Sequence, residues 1–467
     1  MRAGGRLLLV LLTGVVLLTG CAAPQDGRAL AAPSVSAGLD PTGLVRGTDA
    51  GDDDRLVAAT LRDLEQYWAT EYPRLASGAR FVPPLGYYSS DSSDAGAAPP
   101  PCAAGTAELE GNAYYCPRAD VLAYDRAALV PVLRDEFGDT AVVVVLAHEY
   151  GHAVQERLGT TGAVGPGGVP GSAPFGGAQL VAPTILLEAQ ADCYGASFLR
   201  RVRDGALPDL RTGPAGVDGA MGALVTFRDP VGTGASDADA HGNAYDRVSS
   251  FQIGFESGPD SCAAMTTANR PFTQRTFTST GEAESGGNLD LDPLLASLGP
   301  DLDRFFSGVV SARGRPWTPP TITHGAPCPG PGTGQGPVSW CQEALTVRVD
   351  DAAARVPLAT IGDFATGLLV ASRYGLATVG ALGRPTTGPG AGRAALCLAG
   401  AYSAAVGSAG SDFGLSPGDL DEAVTLLLRD ADPARGADGA TTETTAYARV
   451  ADFRTGVDRG AGACLGP

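Results

Sequence analysis

Lysine is absent from this 467-residue chain, so all 33 basic residues are arginine. They are outnumbered by 51 acidic residues, for a formal net charge of −18. A surface this acidic offers no broad basic face for a phosphate backbone, which excludes nucleic acid as the main partner; the charge itself reads as solubility. The missing lysine reads as a coding bias rather than a binding device. Histidine is nearly as scarce, with only His148, His152, His241 and His324. No CxxC pair occurs among the nine cysteines, which excludes a structural zinc site built from thiolates. No apolar run is long enough for a stable transmembrane helix.

One shorter apolar run is present at the start. Arg2 and Arg6 precede the run Leu7 to Leu18, which leads into Leu18-Thr19-Gly20-Cys21. This order reads as a secretory leader, and the last four residues resemble a bacterial lipobox. Residues 1–20 are expected to be a lipoprotein signal peptide, with Cys21 as the lipidated first residue of the mature chain. Residues 21–53, rich in Ala, Gly, Pro, Ser and Asp, read as a flexible tether. The expected location is the extracytoplasmic face of the cell membrane, held by the lipid. Eight cysteines then remain, at 102, 116, 193, 262, 328, 341, 397 and 464. An even number in an exported chain reads as four disulfides.

The length allows two or three domains, and an internal repeat divides it. Arg247 to Cys262 and Arg449 to Cys464 both read R-V-x-x-F-x-x-G-x-x-x-G-x-x-x-C. Further back, Tyr115-Cys116 and Asp125 match Trp340-Cys341 and Asp350. Phe81-Val82-Pro83-Pro84 matches Trp317-Thr318-Pro319-Pro320, and Tyr150-Gly151 matches Tyr374-Gly375. Two units follow, at about 54–285 and 290–467. Each carries four cysteines, which leaves three connectivities per unit. Pairing Cys102 with Cys116 and Cys328 with Cys341 closes short, similar loops and leaves Cys193–Cys262 and Cys397–Cys464.

The chemistry lies in AVVVVLAHEYGHAVQERLG. On a helix, His148 and His152 leave the same face one turn apart, where two imidazoles can share one zinc ion. Glu149 is displaced around the helix and can reach a water rather than the metal. The run Val142 to Val145 alone suggests a buried strand, but helical spacing continues from Leu146 to Leu158. Downstream, Glu188 and Asp192 are again four apart, in TILLEAQADCYGASF. Glu188 supplies a third metal ligand, and Asp192 can fix the tautomer of a liganding histidine.

HExxH followed by ExxxD resembles the gluzincin arrangement. HEYGHAVQ, EAQADCYG and YYCPRADVLAYD, with His241-Gly242, Arg247-Val248 and Phe251, resemble the bacterial neutral zinc metallopeptidase family over roughly residues 60–265. The resemblance implies zinc, an α+β peptidase fold, and hydrolysis of protein or peptide substrates that are largely undefined for the family. Glu149 is then the general base, and His241 and Tyr245 are the candidate donors to the developing negative charge.

On the repeat, His148, Glu149 and His152 correspond to Ser372, Arg373 and Leu376. Glu188 and Asp192 correspond to Gly392 and Leu396, and His241 to Glu443. The expected fold is therefore a gluzincin-like unit followed by a degenerate copy without metal. That copy could support the catalytic unit, cover its cleft or bind a protein partner. His324, between the copies, reads as incidental. Two alternatives stay open beside the peptidase: a surface binding or scaffold protein that keeps zinc for stability, and an amidase acting on cell wall.

Overall fold

The computed structural model describes residues 39–160, 182–328, 334–406, 413–441 and 443–466. The leader, Cys21, the first part of the tether and nearly all of the 159–182 loop lie outside the described residues.

Regular structure is present within the expected tether. Asp40 caps a 3-10 turn at Pro41–Gly43, accepting the Thr42 N–H at 2.9 Å. Val45–Arg46 (β1) then pairs in parallel with Gly86–Ser90 (β2), and Val45 is buried. A two-residue strand has no alternation to read, so composition alone made this segment look like linker.

Between these strands runs α1 (Asp52–Leu75), with three aspartates facing the positive end of the helix dipole. Its apolar positions Leu56, Leu61, Leu64 and Trp68 are all buried. Ala113–Cys116 (β3) and Val121–Asp125 (β4) complete a sheet of order β1-β2-β4-β3, in which only β3 runs antiparallel and forms an edge. Helices follow: α2 (Leu129–Phe137), α3 (Asp139–Leu158), α4 (Thr184–Arg203), α5 (Pro214–Thr226), α6 (Ala244–Ser257) and the short α7 (Pro259–Ala263) and α8 (Thr280–Ser285).

The valine run is helical. α3 packs against α1, α2, α4, α5 and β3, so it is enclosed on most sides and needs apolar residues around much of its circumference. Tertiary burial overrides the strand preference of Val142 to Val144. The helix ends where Gly159 adopts φ 72°, a left-handed C-terminal cap.

The order of elements recurs in the second half. α9 (Leu291–Ser311) precedes β5 (Thr321–His324), β6 (Val338–Cys341) and β7 (Thr346–Val349), with β5 parallel and β6 antiparallel to β7. Then come α10 (Asp351–Thr360), α11 (Asp363–Ala381), α12 (Pro389–Val406), α13 (Asp419–Arg429) and α14 (Ala446–Leu465). Both halves adopt the same disulfide connectivity: Cys102–Cys116 with Cys193–Cys262, and Cys328–Cys341 with Cys397–Cys464.

The repeated motif has a physical reason at each position. Its valines and phenylalanines, Val248, Phe251, Val450 and Phe453, are fully buried. Its first glycine lets two helices touch. A Cβ on Gly254 would lie 1.9 Å from the Cys193 carbonyl oxygen, and one on Gly456 would lie 1.8 Å from that of Cys397. Its second glycine, Gly258 (φ 78°) or Gly460 (φ 69°), turns the chain through the left-handed region. That turn brings Cys262 to α4 and Cys464 to α12.

The result is a mixed α+β fold with two small sheets and a largely helical core. The described residues pack as one compact unit. No helix among the described residues is long and apolar enough to cross a membrane.

Candidate metal centre

The crossing of α3 and α4 creates the site. A Cβ on Gly151 would sit 3.0 Å from Ala191 Cα, and one on Gly195 would sit 3.2 Å from the His148 nitrogen. Small residues at the crossing let the two backbones approach closely. His148 and His152 then meet Glu188 from the facing helix. Their Nε2 atoms are 3.2 Å apart. Glu188 Oε2 lies 3.1 Å from His148 Nε2, and Oε1 lies 3.4 Å from His152 Nε2.

The surrounding hydrogen bonds determine where the ring protons sit. His148 Nδ1 is 2.7 Å from Asp192 Oδ1, and His152 Nδ1 is 2.9 Å from Gln155 Oε1. Both partners are acceptors, so each Nδ1 carries the hydrogen and each Nε2 presents a lone pair. Arg247 grips Asp192 through Nε at 2.8 Å and Nη2 at 2.7 Å. Gln155 is held by its own amide, which donates to the Leu187 carbonyl at 2.6 Å.

Two imidazole lone pairs and a carboxylate therefore converge with no donor between them. Glu188 Oε2, though close to His148 Nε2, is buried without a hydrogen-bond partner. The electrostatics show how strongly the carboxylates here draw positive charge. Burial opposes charge on His148, but Asp192 and Glu188 overcome it and push the imidazole up to about 10. Burial would raise Glu188; His152 and His148 outweigh it and hold the carboxyl well below its ordinary range. The centre's ligand atoms lie within 4.8 Å of one another, and two nitrogens plus one carboxylate suit zinc with a coordination position left open.

Glu149 lies beside this cluster. Its Oε2 accepts the Tyr115 backbone N–H at 3.0 Å, which ties it to the edge strand β3. Burial raises its pKa, and the two imidazoles oppose the rise. Glu149, His152 and Tyr115 line a cleft of about 630 Å³, with Arg228, Asp239 and His241 also in its wall. His241 is half exposed; its N–H donates to Asp229 Oδ2 at 2.8 Å, and its Nδ1 lies 3.4 Å from Asp229 Oδ1.

Tyr245 does not join them, which corrects the expectation that it serves as a donor in the site. It sits in the first turn of α6 and turns towards α14, where its hydroxyl lies 3.2 Å from Asp458 Oδ1 and its ring packs edge-on against Phe453. His324 ends β5 and pairs with Asp351 at 2.6 Å. Three contributors went unread in the sequence. Gln155 had a signal, three residues after His152 on the same helix. Arg247 was masked because the repeat keeps an arginine there, Arg449, which instead donates to the Leu427 carbonyl at 2.7 Å. Arg228 had no sequence signal.

At the corresponding positions of the second half, Arg373 is fully buried and donates to the carbonyl oxygens of Asp432, at 2.5 Å, and Arg435, at 3.1 Å. A Cβ on Gly392 would lie 1.9 Å from the Ala434 carbonyl oxygen. The 3-10 turn Asp432–Ala434 therefore occupies the space beside Gly392, where the first half places a ligand.

The model of a family described as "Putative neutral zinc metallopeptidase" matches residues 11–265. The match contains every residue of the metal centre and stops before the second half. Two uncharacterized proteins, one from Mycobacterium bovis and one from Mycobacterium tuberculosis, are each 29% identical over 186 residues, covering 35% of this chain. The chain spans 59% of the length of these curated relatives. No solved structure matches the chain.

Proposed function

The chain belongs to the neutral zinc metallopeptidase family, and from that premise we propose that it hydrolyses peptide bonds in protein or peptide substrates. His148, His152 and Glu188 hold the zinc ion and Glu149 acts as general base. The observation that carries this reading is the convergence of three acceptor groups, with no donor between them, beside a buried carboxylate in an open cleft.

Zinc held by His148, His152 and Glu188 would acidify a water and polarise the scissile carbonyl. Glu149, anchored by the Tyr115 N–H, takes the proton from that water and returns it to the leaving amine. Its burial and raised pKa favour holding the proton between those steps. His241 and Arg228, in the wall of the cleft, are placed to donate towards the negative charge that develops on the carbonyl oxygen. Arg247 and Asp192 keep His148 in the liganding tautomer.

The signal-peptide pattern and Cys21 support a location on the extracytoplasmic face of the membrane, on a lipid anchor. The second half is a copy of the same unit that has lost its metal site. Its buried Arg373 and the turn at 432–434 fill the equivalent space, and the matching element order and disulfides support the relation. It supports the catalytic half.

The decisive comparison is wild type against Glu149→Gln on a peptide library, with zinc measured on both. Equal zinc and a loss of turnover of about a hundred- to ten-thousand-fold is expected. Equal zinc with no cleavage by either protein favours a non-catalytic surface protein that keeps zinc for stability.

A further inference from the structure

A second cluster of acidic side chains lies away from the metal centre, where the junction between the halves meets the second half. Asp363 opens α11, and Asp419 and Glu422 stand in the first turn of α13. They are 4%, 4% and 8% exposed. One carboxylate oxygen from each lies within 4.8 Å of the others.

Backbone groups hold each carboxylate in place. Leu289 N–H donates to Asp363 Oδ2, Ser416 N–H to Asp419 Oδ2 and Phe364 N–H to Glu422 Oε2, each at 2.8 Å. What they lack is a counter-charge. Among the described residues none of the three has an ion-pair partner. Asp363 Oδ1 is fully buried and makes no hydrogen bond at all. The contrast with the first half is direct, because Asp139, which opens α3, is paired with Arg134 Nε at 2.8 Å. Arg275, whose charge reaches Asp419, has Nη2 on the Leu415 carbonyl at 3.0 Å. Burial pushes all three carboxyl groups up, Glu422 to about 9, and repulsion within the cluster adds to the effect on Asp419 and Glu422.

Three buried carboxylates this close cannot all stay ionised without a cation, because each would be desolvated and repelled by the others. We propose that Asp363, Asp419 and Glu422 form a calcium site that joins α11 to α13 beside the junction. The donor set is all oxygen, which suits a hard cation and not the nitrogen-rich coordination of zinc. Calcium takes six to eight oxygen ligands, so further oxygens from backbone or water would have to complete the set. The junction is already fastened here, since Asn288 Oδ1 accepts the Asp363 N–H at 2.7 Å and Leu289 donates back. Calcium binding would therefore stabilise the packing of α11 on α13 and the junction residues held against it.

The test uses the full chain loaded with zinc and stripped of calcium by a calcium-selective chelator. Bound calcium is measured by mass spectrometry, and melting is followed while calcium chloride is added. Calcium should bind and raise the melting temperature by a few degrees, as expected for a ligand that binds only the folded state. Asp363→Asn and Glu422→Gln should abolish both effects and leave zinc content unchanged. The proposal fails if wild type binds no calcium and its melting does not respond, or if the variants respond equally. It fails also if Glu422→Gln alone is more stable than calcium-insensitive wild type, because the carboxylates then share protons. Should the variants not fold, the wild-type titration decides alone.

Discussion

Asp192 accepts from two buried donors that would otherwise be stranded, the guanidinium of Arg247 and the N–H at His148 Nδ1. Asp192→Asn keeps the shape and one acceptor oxygen but removes the charge. Zinc affinity should fall about ten- to a hundredfold, the usual effect of losing a partner that orients a liganding imidazole. Melting should also drop, because breaking a buried pair from one side costs about 3–5 kcal/mol. Competition with a chelating dye and a thermal melt measure the two separately. Unchanged zinc affinity would mean that packing alone orients His148. The cluster that could hold a metal was legible at this scale because helical spacing places His148 with His152 and Glu188 with Asp192. Arg247 was not, since it reaches Asp192 from 55 residues away through the packing of another helix. Tyr245 misled for the same reason: proximity in sequence to His241 says nothing about which way the first turn of α6 faces.

The contact between α6 and α4 delivers Arg247 to Asp192, and Gly254 is what allows it. Adding a methyl there drives a Cβ into the Cys193 carbonyl oxygen, a backbone atom that cannot swing aside. Gly254→Ala should force α6 outward, lower the melting temperature and weaken zinc binding together; overpacking of this kind costs about 1–3 kcal/mol or more. Gly456→Ala makes the equivalent clash between α14 and α12 and should lower stability while leaving zinc binding intact. Calorimetry with zinc titration on the two variants separates the outcomes, and equal zinc loss in both would refute the assignment. The repeat and its cysteines were legible in the sequence, though not the helices that carry them, because buried aromatics, tight glycines and a disulfide must recur wherever the same packing recurs. β1 was hidden by being two residues long. The helical state of Val142 to Val145 depended on how completely α3 is enclosed, which no local pattern contains.

Each half also caps the other, a relation that spacing along the chain cannot reveal. Asp218 on α5 accepts the Ala446 and Tyr447 N–H groups that open α14, at 2.9 and 2.8 Å. Asp421 on α13 accepts the Ala244 N–H that opens α6, at 2.8 Å, and its other oxygen lies 3.4 Å from Arg228 Nε. Glu256 adds links across the same interface to the Tyr447 hydroxyl, at 3.0 Å, and to Arg454 Nη2, at 2.5 Å. The two caps differ in what they hold. Asp218 fixes only the last helix of the second half, whereas Asp421 fastens both ends of the segment 228–244. That segment carries Asp229, Asp239 and His241 to the cleft. Removing either cap should cost about 0.5–2 kcal/mol of stability. Only Asp421→Ala should also lower kcat/KM, because Arg228 and His241 lose their shared anchor while His148, His152 and Glu188 keep the zinc. Asp218→Ala should melt earlier with kcat/KM unchanged. If both variants lose activity in proportion to stability, the second half merely stabilises the molecule; a selective loss in Asp421→Ala makes it a positioning element for the reaction.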